Sequence, residues 1–244
     1  MYINNINILH YVFAGIVGLF IGQFIDWCTI RQPEYKKVFT KDFFTIYLKN
    51  TKPKYLYMVV TSVLYIAILY LYGFQLKTIA YMAVIPMLLI AFVIDYRLKI
   101  IPNRLNLTIF EVGLVYTFIE GITNINVAVD MLLGMCAGAG LFLIIALIGG
   151  LMYGKEAMGF GDVKLMGALG LFLGWRLTIM VTLIAFLLGA IVGVFLIIKN
   201  RKKGMDYIPF GPFIVIATLI GLFVPFNTLM IIMLNIFTLG TINM

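Results

Sequence analysis

Residues 80–95 read AYMAVIPMLLIAFVID, an apolar run closed by a single aspartate. Taken with the residues just before it, the run approaches the roughly 20 residues that a helix needs to cross the hydrocarbon core of a bilayer. Its neighbours repeat the pattern. The 244-residue chain is 63% hydrophobic and 11% charged, whereas a soluble domain is roughly 45–50% apolar and 25% charged. Spans are expected near residues 8–28, 55–73, 77–94, 105–121, 128–150, 163–175, 177–198 and 208–226. The alternating, strand-length segments of a membrane barrel are missing. The fold class is therefore all-α, a polytopic transmembrane helical bundle of about eight spans. No Lys or Arg precedes the run at 8–28 and no small-residue cleavage site follows it, so it reads as a retained first span. Residues 227–240 form a further, shorter apolar run after the break at Pro225, and the sequence leaves it unassigned as a span. No Ser- or Pro-rich linker divides the chain, so residues 1–244 are expected to form a single membrane domain.

The formal net charge of +8 is distributed by topology. Alternate loops collect Arg31, Lys36, Lys37, Lys41, Lys49, Lys52 and Lys54; then Arg97, Lys99 and Arg104; then Lys155 and Lys164; then Lys199, Arg201, Lys202 and Lys203. Only Lys77 and Arg176 are left for the opposite side. The positive-inside rule then puts the N-terminus outside and these loops in the cytoplasm. Topology accounts for the charge, so no nucleic-acid partner is expected. Membrane lipid is the expected surrounding. The longest polar segment, 29–54, becomes a cytoplasmic loop between the first and second spans. Its stretch VFTKDFFTIYL fits an amphipathic segment on the inner membrane surface and a disordered loop equally.

Two cysteines, Cys28 and Cys136, form no Cys-x-x-Cys pair, and His10 is the sole histidine. A histidine-based triad or multi-histidine metal centre cannot be built from this set. Small residues four apart, such as Gly18 with Gly22 and Gly134 with Gly138, read as close helix packing.

The carboxylates carry more information. An acid at a helix centre costs about 2.5–3.5 kcal/mol on insertion scales. Asp26, Glu34, Asp42, Asp206, Glu111, Glu120 and Asp130 fall in loops or at span ends, where water is expected to reach them. Asp95 ends an apolar run and precedes YRLKIIPNRLN; Asp162 follows Gly159, Phe160 and Gly161 and opens VKLMGALGLFLGW. The expected topology brings both to the cytoplasmic edge. Two carboxylates sharing a water keep one proton between them, one acting as base toward the water while the other polarises a carbonyl. Gly159 and Gly161 would let an extended substrate approach Asp162 closely, and a helix N-terminus favours negative charge there. Spacing alone fits equally a span-end Asp95 offset by Arg97 or Lys99 and a capping Asp162. A proton-coupled small membrane transporter would use the same aspartates, but it would place them near the midplane and often carry an inverted repeat. No internal repeat stands out.

Four blocks now bear on identity: GLFIGQFIDWCTIRQP at 18–33, IDYRLKIIPN at 94–103, GKEAMGFGDVKLMGALGLFLGW at 154–175 and IPFGPF at 208–213. In this order they resemble the type IV prepilin peptidase family, the GxGD membrane aspartyl proteases. The resemblance implies that Asp95 and Asp162 are the catalytic pair and that cleavage occurs after glycine on the cytoplasmic face of the bacterial inner membrane. The implied substrates are type IV prepilins or pseudopilins. Asn103 stands where many members carry Asp, which favours Asp95 for the role. Glu156 and Lys164 lie inside the second block; Glu156 is a candidate contact for the leader's basic residues and Lys164 a candidate neighbour tuning Asp162. Many members also carry two Cys-x-x-Cys pairs in the first loop and methylate the new N-terminus with S-adenosylmethionine. The loop at 29–54 has no cysteine, so zinc is not expected, proteolysis needs no cofactor, and S-adenosylmethionine enters only if methyltransferase activity is retained.

Overall fold

The computed structural model describes residues 2–4, 6–38, 40–153, 158–199 and 208–238. They are overwhelmingly helical. A short antiparallel pair, β1 (Tyr2–Ile3) and β2 (Ile6–Asn7), precedes α1 (Ile8–Arg31). A π-helical turn at Phe43–Tyr47 continues into α2 (Leu48–Asn50), followed by α3 (Tyr55–Tyr72), α4 (Leu76–Leu98), α5 (Asn103–Thr123), α6 (Ile125–Tyr153), α7 (Phe160–Ile198), α8 (Gly211–Phe223) and α9 (Phe226–Phe237). Six of these helices, α1 and α3 to α7, are long and apolar enough to cross a membrane. Two compact units, residues 1–112 and 113–244, divide the chain within α5.

In the first unit α1 and α3 pack antiparallel at very close range. A Cβ on Gly18 would lie 2.5 Å from Ser62 Cα, and one on Gly22 would strike Met58 Cα. Lipid tails are as apolar as leucine, so helix association in a bilayer rests on such van der Waals approach and on hydrogen bonds. Helix α4 joins this pair, and the Tyr65 hydroxyl of α3 donates to the Met82 carbonyl at 2.6 Å. Val84, Ile85, Leu88, Ala91 and Ile94 of α4 are buried on successive turns, which leads the buried face directly to Asp95.

In the second unit the 39-residue α7 is interrupted at Gly174, whose φ of 70° and ψ of 168° suit glycine alone. Gly138 of α6 shows the consequence. A Cβ there would meet Met166 O at 2.5 Å and Thr178 Cγ2 at 3.1 Å. Twelve residues of straight helix span about 18 Å, so the halves of α7 fold back on each other about Gly174. The fold-back divides α7 where two spans were expected, and α8, at 13 residues, is shorter than the six helices long and apolar enough to cross. The carbonyl of Gly174 accepts from the Thr178 hydroxyl at 2.7 Å, so the break leaves it satisfied. Helix α8 packs antiparallel along the second half of α7, with Gly221 against Val181 and Gly189 against Phe210. The apolar run after Pro225 is the 12-residue α9, too short to span.

Candidate active site

Asp95 sits one turn before the end of α4 and is 2% exposed. Its carbonyl accepts from the Lys99 amide at 2.9 Å, with Lys99 left-handed at φ 57°, which stops the helix and turns the chain toward Pro102. Around this end of the first unit lie several cations. Arg97 donates to the Tyr57 hydroxyl at 3.4 Å and Arg104 to the Tyr35 carbonyl at 2.7 Å.

The first unit also buries a span-end carboxylate for which hydration is the ordinary expectation. Asp26, near the same end of α1, is 3% exposed. The Tyr47 hydroxyl donates to its Oδ2 at 2.6 Å, and Lys54 Nζ lies 4.0 Å from its Oδ1. Gln23 extends the network, donating to the Tyr47 hydroxyl at 3.2 Å and accepting from the Lys54 amide at 2.9 Å. Trp27 donates to the Val38 carbonyl at 2.9 Å. The loop is thus bound to the C-terminal end of α1, and its described residues favour the helical segment over a wholly disordered loop. Burial, and then the bond to Asp26, push the Tyr47 phenol above its ordinary value.

In the second unit Asp162 lies in the first turn of α7 and is 3% exposed; its amide donates to the Gly159 carbonyl at 3.0 Å. Gly159 stands just before the helix and Gly161 within its first turn. The four N-terminal amides of a helix and its dipole make this a favourable place for an anion. Lys164 is exposed, its ammonium 5.0 Å from the Phe160 ring centroid. Glu156 lies outside the described residues.

Residues 82–194 match the type IV leader peptidase family. Over that stretch the chain is similar to that family. The matched stretch carries Asp95, Asp162 and the Gly174 fold-back. Among curated relatives, a prepilin leader peptidase/N-methyltransferase of Legionella pneumophila is 35% identical over 165 residues, covering 67% of this chain and 56% of the relative. A protein of the same description from Aeromonas hydrophila is 35% identical over 129 residues, 53% of this chain and 43% of its own. That of Escherichia coli (strain K12) is 33% identical over 133 residues, 53% and 56%. The chain thus spans about half the length of the curated relatives it matches. No solved structure matches it.

Among the described residues the side chains able to ligate a metal are dispersed. No group of three or more His, Cys, Asp or Glu is clustered there. A cavity of about 560 Å³ in the first unit is lined mainly by apolar side chains, among them Phe13, Val17, Leu69 and Met82. Another of about 410 Å³ in the second unit is lined by Trp175, Ile179, Leu183 and Phe226. Neither offers an acidic side chain for a ribose or for the amino-acid tail of S-adenosylmethionine, so neither fits that group.

Proposed function

We propose that the chain is an aspartic endopeptidase of the inner membrane that removes the leader from type IV prepilins or pseudopilins, with Asp95 and Asp162 as its catalytic pair. Supporting this most directly is that each unit buries one of these acids at a helix terminus within the family-matched stretch. On this reading the two units work as one membrane domain, each supplying one carboxylate. A shared proton lets one carboxylate take a proton from water while the other polarises the scissile carbonyl. Attack by that water forms a tetrahedral species, and proton return to the leaving nitrogen releases the leader. No metal or covalent intermediate is required.

Orientation follows from charge. Arg31, Lys36, Lys54, Arg97 and Lys99 flank the inner ends of α1, α3 and α4, which supports a cytoplasmic position for Asp95. Gly159 and Gly161 are proposed to let an extended substrate approach the backbone beside Asp162. Lys164, one turn from the edge, supports the electrostatics of that site, and Glu156 is proposed to meet basic leader residues.

The experiment is cleavage of a synthetic prepilin by the purified full chain, with products weighed by mass spectrometry in the presence and absence of S-adenosylmethionine. The reading expects a cut after glycine, lost in Asp95→Asn and in Asp162→Asn. Retained cleavage by both variants would overturn it. The relatives' descriptions pair peptidase with N-methyltransferase, and a methylated product in the same spectra would extend that second activity to this chain.

A further inference from the structure

The loop that Asp26 and Tyr47 secure has a second face. Inward, the Phe43 ring packs on Phe24, Trp27 and Tyr47, with centroids 5.2, 5.9 and 5.6 Å away. Outward, Phe44 and Leu48 are 69% and 41% exposed, four residues apart and so neighbours along the helical segment. Three cations of the loop are compensated: Arg31 by Asp42 at 3.5 Å, Lys36 by Glu34 at 2.6 Å and Lys54 by Asp26 at 4.0 Å. Lys41, Lys49 and Lys52, which flank the exposed apolar pair, are exposed and form no ion pair among the described residues.

We infer that residues 41–52 are a docking surface for the anionic phospholipid headgroups of the leaflet at the C-terminal end of α1. Phe44 and Leu48 dip into the boundary between headgroups and acyl chains, and Lys41, Lys49 and Lys52 meet the phosphates. Two observations select lipid over other partners. The segment is fixed to the end of a membrane-crossing helix through Tyr47 and Trp27, which holds it at the bilayer surface. Its uncompensated charge is positive, which complements anionic lipid and repels the basic leaders expected of the substrate. The surface is independent of the proposed proteolysis.

The test uses the full chain with Cys136→Ala, which leaves only the buried Cys28, and a nitroxide attached at Phe44→Cys. It is reconstituted in vesicles of phosphatidylcholine alone or mixed with phosphatidylglycerol. Collision with oxygen reports lipid, collision with a water-soluble nickel chelate reports solvent, and a label at Glu34→Cys is the solvent reference. In mixed vesicles the label at position 44 collides with oxygen in preference to nickel. A lysine near an anionic surface contributes about fivefold to partitioning, so the combined Lys41→Gln, Lys49→Gln and Lys52→Gln variant lowers the immersed-to-free ratio on the order of 100-fold. Removing phosphatidylglycerol moves the label the same way. A label facing solvent in mixed vesicles overturns the inference. So does immersion indifferent to phosphatidylglycerol and to the lysines, or a label shielded from both reagents by protein.

Discussion

The Tyr47 hydroxyl donates to the Asp26 carboxylate at 2.6 Å, joining a loop residue to a membrane helix across 21 positions of sequence. Both groups are buried, so the bond is made where water cannot replace it. Removing the hydroxyl leaves the Asp26 carboxylate facing Lys54 Nζ at 4.0 Å.

Tyr47→Phe is accordingly expected to cost about 1.5–3 kcal/mol, the range for a hydrogen bond to a charged group. Hydrogen–deuterium exchange should show the loss as faster exchange across residues 41–50, with α3 and α4 little changed. Unaltered exchange there would mean that ring packing alone holds the loop.

The same contact sets a pH dependence. The phenol is raised above its ordinary value of 10.0 by burial and by Asp26, so the folded chain holds the Tyr47 proton more tightly than the unfolded chain. The stability it contributes is full below about pH 10 and is lost as pH rises from there toward the higher folded value. Ultraviolet titration of wild type against Tyr47→Phe should show one phenol ionising later than the exposed tyrosines.

Gly174→Ala should destabilise the second unit. The substitution meets a backbone region open to glycine only, at about 1–3 kcal/mol, and its Cβ would also strike the Asp130 carboxylate. A lower thermal midpoint in detergent is expected. Adding Asp130→Ala should recover only part of it, because the collision is relieved and the backbone strain is not.

Single replacement of either proposed catalytic acid by asparagine should lower cleavage by on the order of 10³-fold or more, in keeping with loss of acid–base participation. Accumulation in membranes and helical circular dichroism should persist. A chelator should leave wild-type cleavage unchanged, since two cysteines and one histidine supply no zinc set.

Much of this was legible in the residues themselves. A carboxylate terminating an apolar run is conspicuous because burial penalises it, which is why Asp95 and Asp162 stand out before any coordinates. The fold-back in α7 was legible for a related reason, since Gly174 and Arg176 interrupt an otherwise unbroken apolar stretch; the turn itself falls at Gly174. Asp26 was not legible. It occupies a span end, where solvation is the ordinary expectation, and the tyrosine that buries it comes from a loop with no short-range sign of its partner. Gln23 was hidden likewise, because its two partners, Tyr47 and Lys54, lie 24 and 31 residues away.

The proposed mechanism requires Asp95 and Asp162 to come close enough to share a water. A short bifunctional thiol reagent tests it on the full chain carrying Asp95→Cys, Asp162→Cys and Cys136→Ala, with Asp26→Cys and Tyr47→Cys as the reference pair. The account predicts a cross-linked peptide joining positions 95 and 162 at a yield like that of the reference. Cross-linking of the reference pair alone would contradict it.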